Sequence, residues 1–213
     1  MKYTSKSNLL EELKRLPHFD KELIYDLGKN EKNHNLKEST IDTYISRFLK
    51  HKEIISLKRG LYVTTDFYNK NRNDTSYLFY LSNILRPPSY ISSWTALQYY
   101  NLATEVIHTI TAITTKVTRS YKTKIGTFSY HSIKKDFFSD FSLIKNGDFK
   151  FFIATPSKAL FDLLYFKTKQ FKNIKFKDIN YLIEELRIDI TEMDEIEKNK
   201  FYSMIKNYIK KYE

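Results

Sequence analysis

The chain has no cysteine, which excludes disulfides, thiolate catalysis and Cys-ligated zinc. Glycine and proline are scarce, four of each in 213 residues. Each glycine falls at an expected turn or helix end, so none builds a phosphate-cradling loop. No stretch approaches the roughly 18 apolar residues of a membrane span. The opening MKYTSKSNLLEELKRL has no apolar run long enough for a signal peptide. A soluble, cytoplasmic chain without membrane contact is therefore expected. The five histidines (18, 34, 51, 108 and 131) show neither H-x-x-x-H nor HExxH spacing, so no metal site is expected. His108 lies in a strand pattern and reads as a half-buried strand residue. Asp162, in ATPSKALFDLL, has no second acid near it. It reads as a hydrogen-bonding carboxylate, at the surface or buried. With no catalytic constellation, the expectation is a protein that is not an enzyme and needs no cofactor.

Core material is abundant. Apolar residues make up 41% and aromatics 16% of the chain, which argues against disorder despite 29% charged residues. Most of the 17 Tyr and 16 Phe fall on apolar faces and read as core rather than as base-stacking platforms. The net charge is +11, and it is unevenly spread. Residues 1–72 carry 15 Lys+Arg against 10 Asp+Glu, residues 73–170 carry 12 against 6, and residues 171–213 carry 9 against 9. A basic excess in the first two thirds favours polyanions, nucleic acid ahead of an anionic membrane surface.

Periodicity divides the chain into two parts. Leu9, Leu10, Leu13 and Leu16 form one helical face, with Pro17 just beyond. Asp20 is placed to cap a short second helix, with Leu23, Ile24 and Leu27 inward and Gly28 as its stop signal. After the polar loop KNEKNHN, a third helix is predicted from about Lys37 to His51, burying Ile41, Ile45, Phe48 and Leu49. Two short strands follow, 54–57 and 60–63, with Lys58, Arg59 and Gly60 in the turn between them. Three helices followed by a basic-tipped hairpin is the layout of a winged helix-turn-helix. The polar seam Asn69 to Thr75 sets the domain boundary, giving a DNA-binding domain at 1–72 and a second domain at 73–213. In the second, helices at 77–85 and from Ser92 or Ser93 precede strand patterns at 106–115, 126–133, 137–144 and 149–153. Asn146-Gly147 is a turn signal. Thr155 and Pro156 open another helix, and 171–213 reads as a helical tail. The fold class is thus α+β.

A helix in the major groove reads base edges from its N-terminal half and touches phosphates from its flanks. On the third helix, Ser39, Thr40 and Thr43 suit base edges, Arg47 and Lys50 suit phosphates, and Lys37 suits either. Lys58 and Arg59 at the hairpin tip would reach the backbone or the neighbouring minor groove. A second basic stretch contains Lys116, Arg119, Lys122 and Lys124, in a region from 106 to 135 with six basic residues and no acid. It would extend a DNA footprint, face an acidic partner or form a solvated loop.

Several strings of the second part occur together in a known order. Tyr90-Ile91-Ser92-Ser93-Trp94-Thr95-Ala96-Leu97 is followed by Tyr100-Asn101-Leu102, and Thr109 to Lys116 form a Thr-rich strand pattern. Gly126-Thr127-Phe128-Ser129-Tyr130-His131 comes next, then Ala154 to Leu164 in the string ATPSKALFDLL. This succession resembles the AbiEi-type antitoxin family over about residues 4–170, with Asn101 where a glycine is usual. The resemblance implies a DNA-binding repressor of a type IV, abortive-infection toxin–antitoxin operon. It implies binding to inverted repeats in double-stranded promoter DNA, and a C-terminal domain that counteracts a nucleotidyltransferase-like toxin without needing stable contact with it. The alternative is a stand-alone winged-helix transcription factor whose second domain senses a ligand or partner.

Overall fold

Apolar spacing explains most of the helices of the mixed α+β chain. The computed structural model describes residues 5–30, 35–104, 108–172 and 174–212. His34, residues 31–34 of the polar loop and the start of the strand expected from 106 lie outside the described residues. The chain divides into two units, residues 1–81 with 121–126, and residues 82–120 with 127–213.

In the first unit, α1 (Ser5–Leu13), α2 (Lys21–Gly28) and α3 (Glu38–Lys50) enclose a core with a small sheet. Leu9, Leu13, Ile24, Ile41 and Phe48 are fully buried there. The Asp20 carboxylate caps α2 by accepting from the Leu23 N–H at 2.8 Å, as expected. Leu23 is a correction: it is 36% exposed, because the inward side of this two-turn helix is taken by Ile24, Gly28 and parts of Tyr25 and Leu27. Leu49 is likewise half-buried rather than fully inward. The helix ends at Gly28, as expected, but not through a left-handed glycine, since Gly28 does not have a positive φ and Lys29 after it is right-handed (φ −84°). A Cβ on Gly28 would lie 2.6 Å from Ile41 Cδ1, so this glycine lets α2 approach α3 closely.

The hairpin β2 (Ile54–Lys58) and β3 (Leu61–Thr64) turns at Arg59-Gly60, where Gly60 has φ +77°, a conformation glycine adopts without strain. A third strand, β1 (Phe19–Asp20), pairs antiparallel with β3 through Phe19 opposite Tyr62 and Asp20 opposite Leu61. The sheet order is β1-β3-β2. Then α4 (Thr65–Asn71) occupies part of the stretch read as a polar seam, capped by the Thr64 hydroxyl, which accepts from the Phe67 N–H. The boundary expected after residue 72 therefore lies within the first unit. The reason is α5 (Thr75–Leu85): Tyr77 donates to the Pro17 carbonyl at 2.7 Å, and Tyr80 shares a 2.6 Å hydrogen bond with His18 Nδ1.

The second unit is built on a mixed sheet in which β4 (Ser89–Ile91), β5 (Thr109–Thr114), β7 (Gly126–Ser132), β8 (Phe141–Asn146) and β9 (Phe149–Ala154) follow the order β7-β5-β4-β9-β8, while β6 (Arg119–Thr123) is divided between the units after Ser120. Pairs β4/β9 and β5/β7 are parallel, whereas β4/β5 and β8/β9 are antiparallel. The helix α6 (Ser93–Tyr99) precedes β5, and Asn101 after it is left-handed (φ +60°). The helix α7 (Pro156–Lys167) is capped by Thr155 and buried on all sides from Ser157 to Tyr165, Lys158 and Asp162 included. The tail forms α8 (Ile179–Glu185) and α9 (Glu195–Tyr212).

Candidate nucleic-acid interface

The apolar side of α3 fixes the opposite side by default. Ile41, Ile45 and Phe48 are buried, so Ser39, Thr43, Arg47 and Lys50, at intervals of four, four and three, share one exposed stripe. Thr40 sits half-buried beside it. Lys37 is exposed at the N-cap with extended backbone and no side-chain cap. The Thr43 hydroxyl donates to the Ser39 carbonyl one turn back at 2.9 Å. Its proton is thus engaged, and the side chain offers outward a methyl group and acceptor lone pairs.

The same helix carries two acids that the sequence reading did not weigh, Glu38 and Asp42. Both are engaged from α2. Lys29 Nζ lies 2.9 Å from Glu38, and Lys21 Nζ lies 2.9 Å from Asp42. Tyr25 also donates to Asp42, at 2.8 Å. The Lys21 ammonium and the Tyr25 hydroxyl hold the Asp42 carboxyl below the ordinary carboxylate range. Both partners are solvent-exposed, so these pairs contribute little to stability. Their consequence is local: counter-charges stand beside the carboxylates that would repel a phosphate backbone. Among the described residues, Lys37, Arg47 and Lys50 have no carboxylate within salt-bridge distance.

At the hairpin tip Arg59 is exposed and Lys58 is half-buried as the last residue of β2. The register shifts between Ser56 and Lys58, with Ser56 opposite Tyr62 and Lys58 opposite Leu61. A bulge of this kind re-aims the side chains beyond it. Thus Lys37, Ser39, Thr40, Thr43, Arg47 and Lys50 are brought together on one helix, and Lys58 and Arg59 stand together on one hairpin.

The second basic stretch is part strand and part loop, with Lys116 in a bend and Lys124 in a turn. Arg119 and Lys122 lie in the strand β6. All four of Lys116, Arg119, Lys122 and Lys124 are exposed. Lys116 and Arg119 belong to the second unit, whereas Lys122 and Lys124 belong to the first.

The second unit holds a buried polar cluster of which the sequence reading named only Asp162. That carboxylate is fully buried and meets Lys158 Nζ at 2.7 Å, itself 1% exposed. The Ser92 hydroxyl donates to it at 2.7 Å and the Tyr90 hydroxyl at 3.0 Å. Ser92 is therefore the N-cap of α6 by backbone only, its hydroxyl drawn away to Asp162. Burial pushes the Asp162 carboxyl up, opposed by the Lys158 charge and the three donors. The Lys158 and Asp162 side chains share one helix face at i and i+4. Two charges in an otherwise apolar helix at that spacing were the signal available in the sequence. His108 is another correction: it is exposed and precedes β5, because the buried part of that strand begins at Ala112. Among the described residues no group of three or more His, Asp or Glu side chains is placed to hold a metal. Among them, too, no helix is long and apolar enough to cross a membrane. No known protein-family model matches the chain, and no curated protein matches it.

Proposed function

We propose that the chain is a DNA-binding transcriptional regulator whose first unit acts as a winged helix-turn-helix, with α3 in the major groove and the β2–β3 hairpin as the wing. The observation that carries this reading is the α3 stripe: short polar side chains, then Arg47 and Lys50, with Glu38 and Asp42 each countered by a lysine of α2. A cationic stripe of this kind attracts phosphates and fixes the register in which short side chains meet base edges. Arg59 at the hairpin tip extends the positive surface.

The antitoxin role rests on the resemblance to the AbiEi-type family. In that reading the protein represses its own operon and its second unit counteracts a nucleotidyltransferase-like toxin. The alternative, a stand-alone factor with a ligand-sensing second unit, is favoured by one feature. A cleft of about 210 Å³ is lined by Phe137, Asp140, Lys158, Phe161, Asn207 and Tyr208, among others.

The test is a gel-shift titration on the gene's own upstream duplex against a scrambled duplex, at two salt concentrations. Selective, salt-sensitive shifting supports the regulator, and equal affinity for both duplexes overturns it. Co-expression with a nucleotidyltransferase-like toxin of the abortive-infection type then separates the two roles of the second unit: rescue of growth supports the antitoxin, and unrelieved toxicity supports the stand-alone factor.

A further inference from the structure

The second unit ends its sheet on a strand that is paired on one side only. β8 is the last strand in the order, and it pairs with β9 in continuous register from Phe141 opposite Ala154 to Asn146 opposite Phe149. It has no proline and its register has no shift, so two common guards of an edge strand are missing.

One hydrogen bond fixes which backbone groups of β8 face outward. The Phe152 N–H donates to Asn83 Oδ1 at 2.6 Å, so it points away from β8. Phe152 and its partner Leu143 are then a non-hydrogen-bonded pair, since bonded and non-bonded pairs alternate along an antiparallel ladder. By the same alternation Lys145 and Lys150 are a second such pair. The N–H and C=O groups of Leu143 and Lys145 therefore face outward from the sheet. No partner for them occurs among the described residues.

The side chains of these two pairs occupy one face. Leu143 is 54% and Phe152 40% exposed, and in a non-bonded pair they stand directly beside each other. Lys145 and Lys150, both exposed, also stand opposite each other. Like charges in this position repel, and neither lysine has a carboxylate partner among the described residues.

We infer that β8 is a docking edge for an extended, acidic segment of a partner protein, which adds to the sheet as an antiparallel strand. Main-chain bonds to Leu143 and Lys145 would hold it, as in strand addition generally. An apolar side chain would lie beside Leu143 and an acidic one beside Lys145. In an antiparallel strand that is an acid followed two residues later by an apolar residue. Charge selects this occupant. A second copy pairing through its own β8 about Leu143 would set its Phe141 beside Lys145, leaving both lysines without a counter-charge.

The experiment is an amide-resolved NMR titration of the full chain with two synthetic octapeptides. Both alternate serine with valine and a charged residue, one carrying glutamate in the order Glu-Ser-Val, the other lysine in its place. With the acidic peptide, the amides of Leu143 and Lys145 should move downfield as they gain acceptors, while Ser142 and Ile144, already bonded to β9, move less. The lysine peptide should bind about fivefold more weakly, and Lys145→Glu should invert that order. Leu143→Pro removes one outward donor and no bond to β9, as an edge position tolerates, and should abolish binding with an unchanged urea midpoint. Equal shifts with both peptides, shifts elsewhere, no response to the acidic peptide, or dimerisation of the free chain lost in Leu143→Pro would each overturn the proposal.

Discussion

Replacing Arg47, Lys50 and Arg59 together by alanine tests the DNA reading through its salt dependence. All three are exposed, and none has a carboxylate partner among the described residues. Each cation that neutralises a phosphate contributes about 0.9 to the slope of log affinity against log salt. Three lost contacts flatten the slope by about 2.7, so between roughly 50 and 200 mM salt the wild type should lose about 40-fold more affinity than the variant. Fluorescence anisotropy on the upstream duplex measures this directly. The urea midpoint should barely change, because surface substitutions of this kind stay within about 0.5 kcal/mol. An unchanged slope would refute the assignment of these residues to phosphates, whatever happens to affinity. A slope flattened by about 0.9 would leave a single contact among the three.

Three further outcomes probe the scaffold. Asp162→Ala should cost about 3–5 kcal/mol in urea unfolding, since it leaves the buried Lys158 charge unpaired, and the Lys158→Met, Asp162→Leu double variant should recover most of that. A cost below about 1 kcal/mol would mean that the pair is solvated. Gly28→Ala should destabilise by about 1–3 kcal/mol although alanine favours helix, because its Cβ would meet Ile41 Cδ1 at 2.6 Å. Adding Ile41→Val, which deletes Cδ1 and leaves Cγ1 at 2.9 Å, should recover part of that stability; no recovery would locate the cost elsewhere. Burial holds the His18 imidazole below its ordinary range, with Asp20 pulling weakly the other way. The unfolded chain therefore binds the proton more readily, so stability is complete above the unfolded pKa of about 6.5 and falls as the pH drops through it. The urea midpoint should decline from about pH 7.5 to pH 5, and His18→Phe should reduce that decline. His131, also depressed by burial, accounts for a remaining part.

Much of the fold was legible because its signals are local. The α3 face, the Asp20 and Thr155 caps, the hairpin turn at Arg59-Gly60 and the strands at 126–132 and 149–154 follow from periodicity and turn chemistry within a few residues. The exposure of Ser39, Thr43, Arg47 and Lys50 follows as well, since burying one face of a helix exposes the other. What was missed depends on distant partners. β1 is two residues long and exists only because β3 lies beside it. The strand Ser89–Ile91 was hidden in the approach to α6, and it acquires its identity from β5 and β9. Leu23 looked inward by pattern, yet the small core holds few side chains from a two-turn helix.

By itself the sequence determined the α+β class, the uneven basic charge, the absence of cysteine chemistry and the order of the principal helices and strands. These properties depend on composition and on neighbours along the chain. Only the tertiary structure decided that Lys21 and Lys29 counter the acids of α3, that Gly28 is a contact point with Ile41, and that Ser92 and Tyr90 converge on Asp162. It alone decided, too, that Leu143 and Lys145 lie on an open edge. Each of these is a pairing between groups far apart in the chain or on different elements, and a local pattern carries no information about which distant group will satisfy a charge, a hydroxyl or a strand.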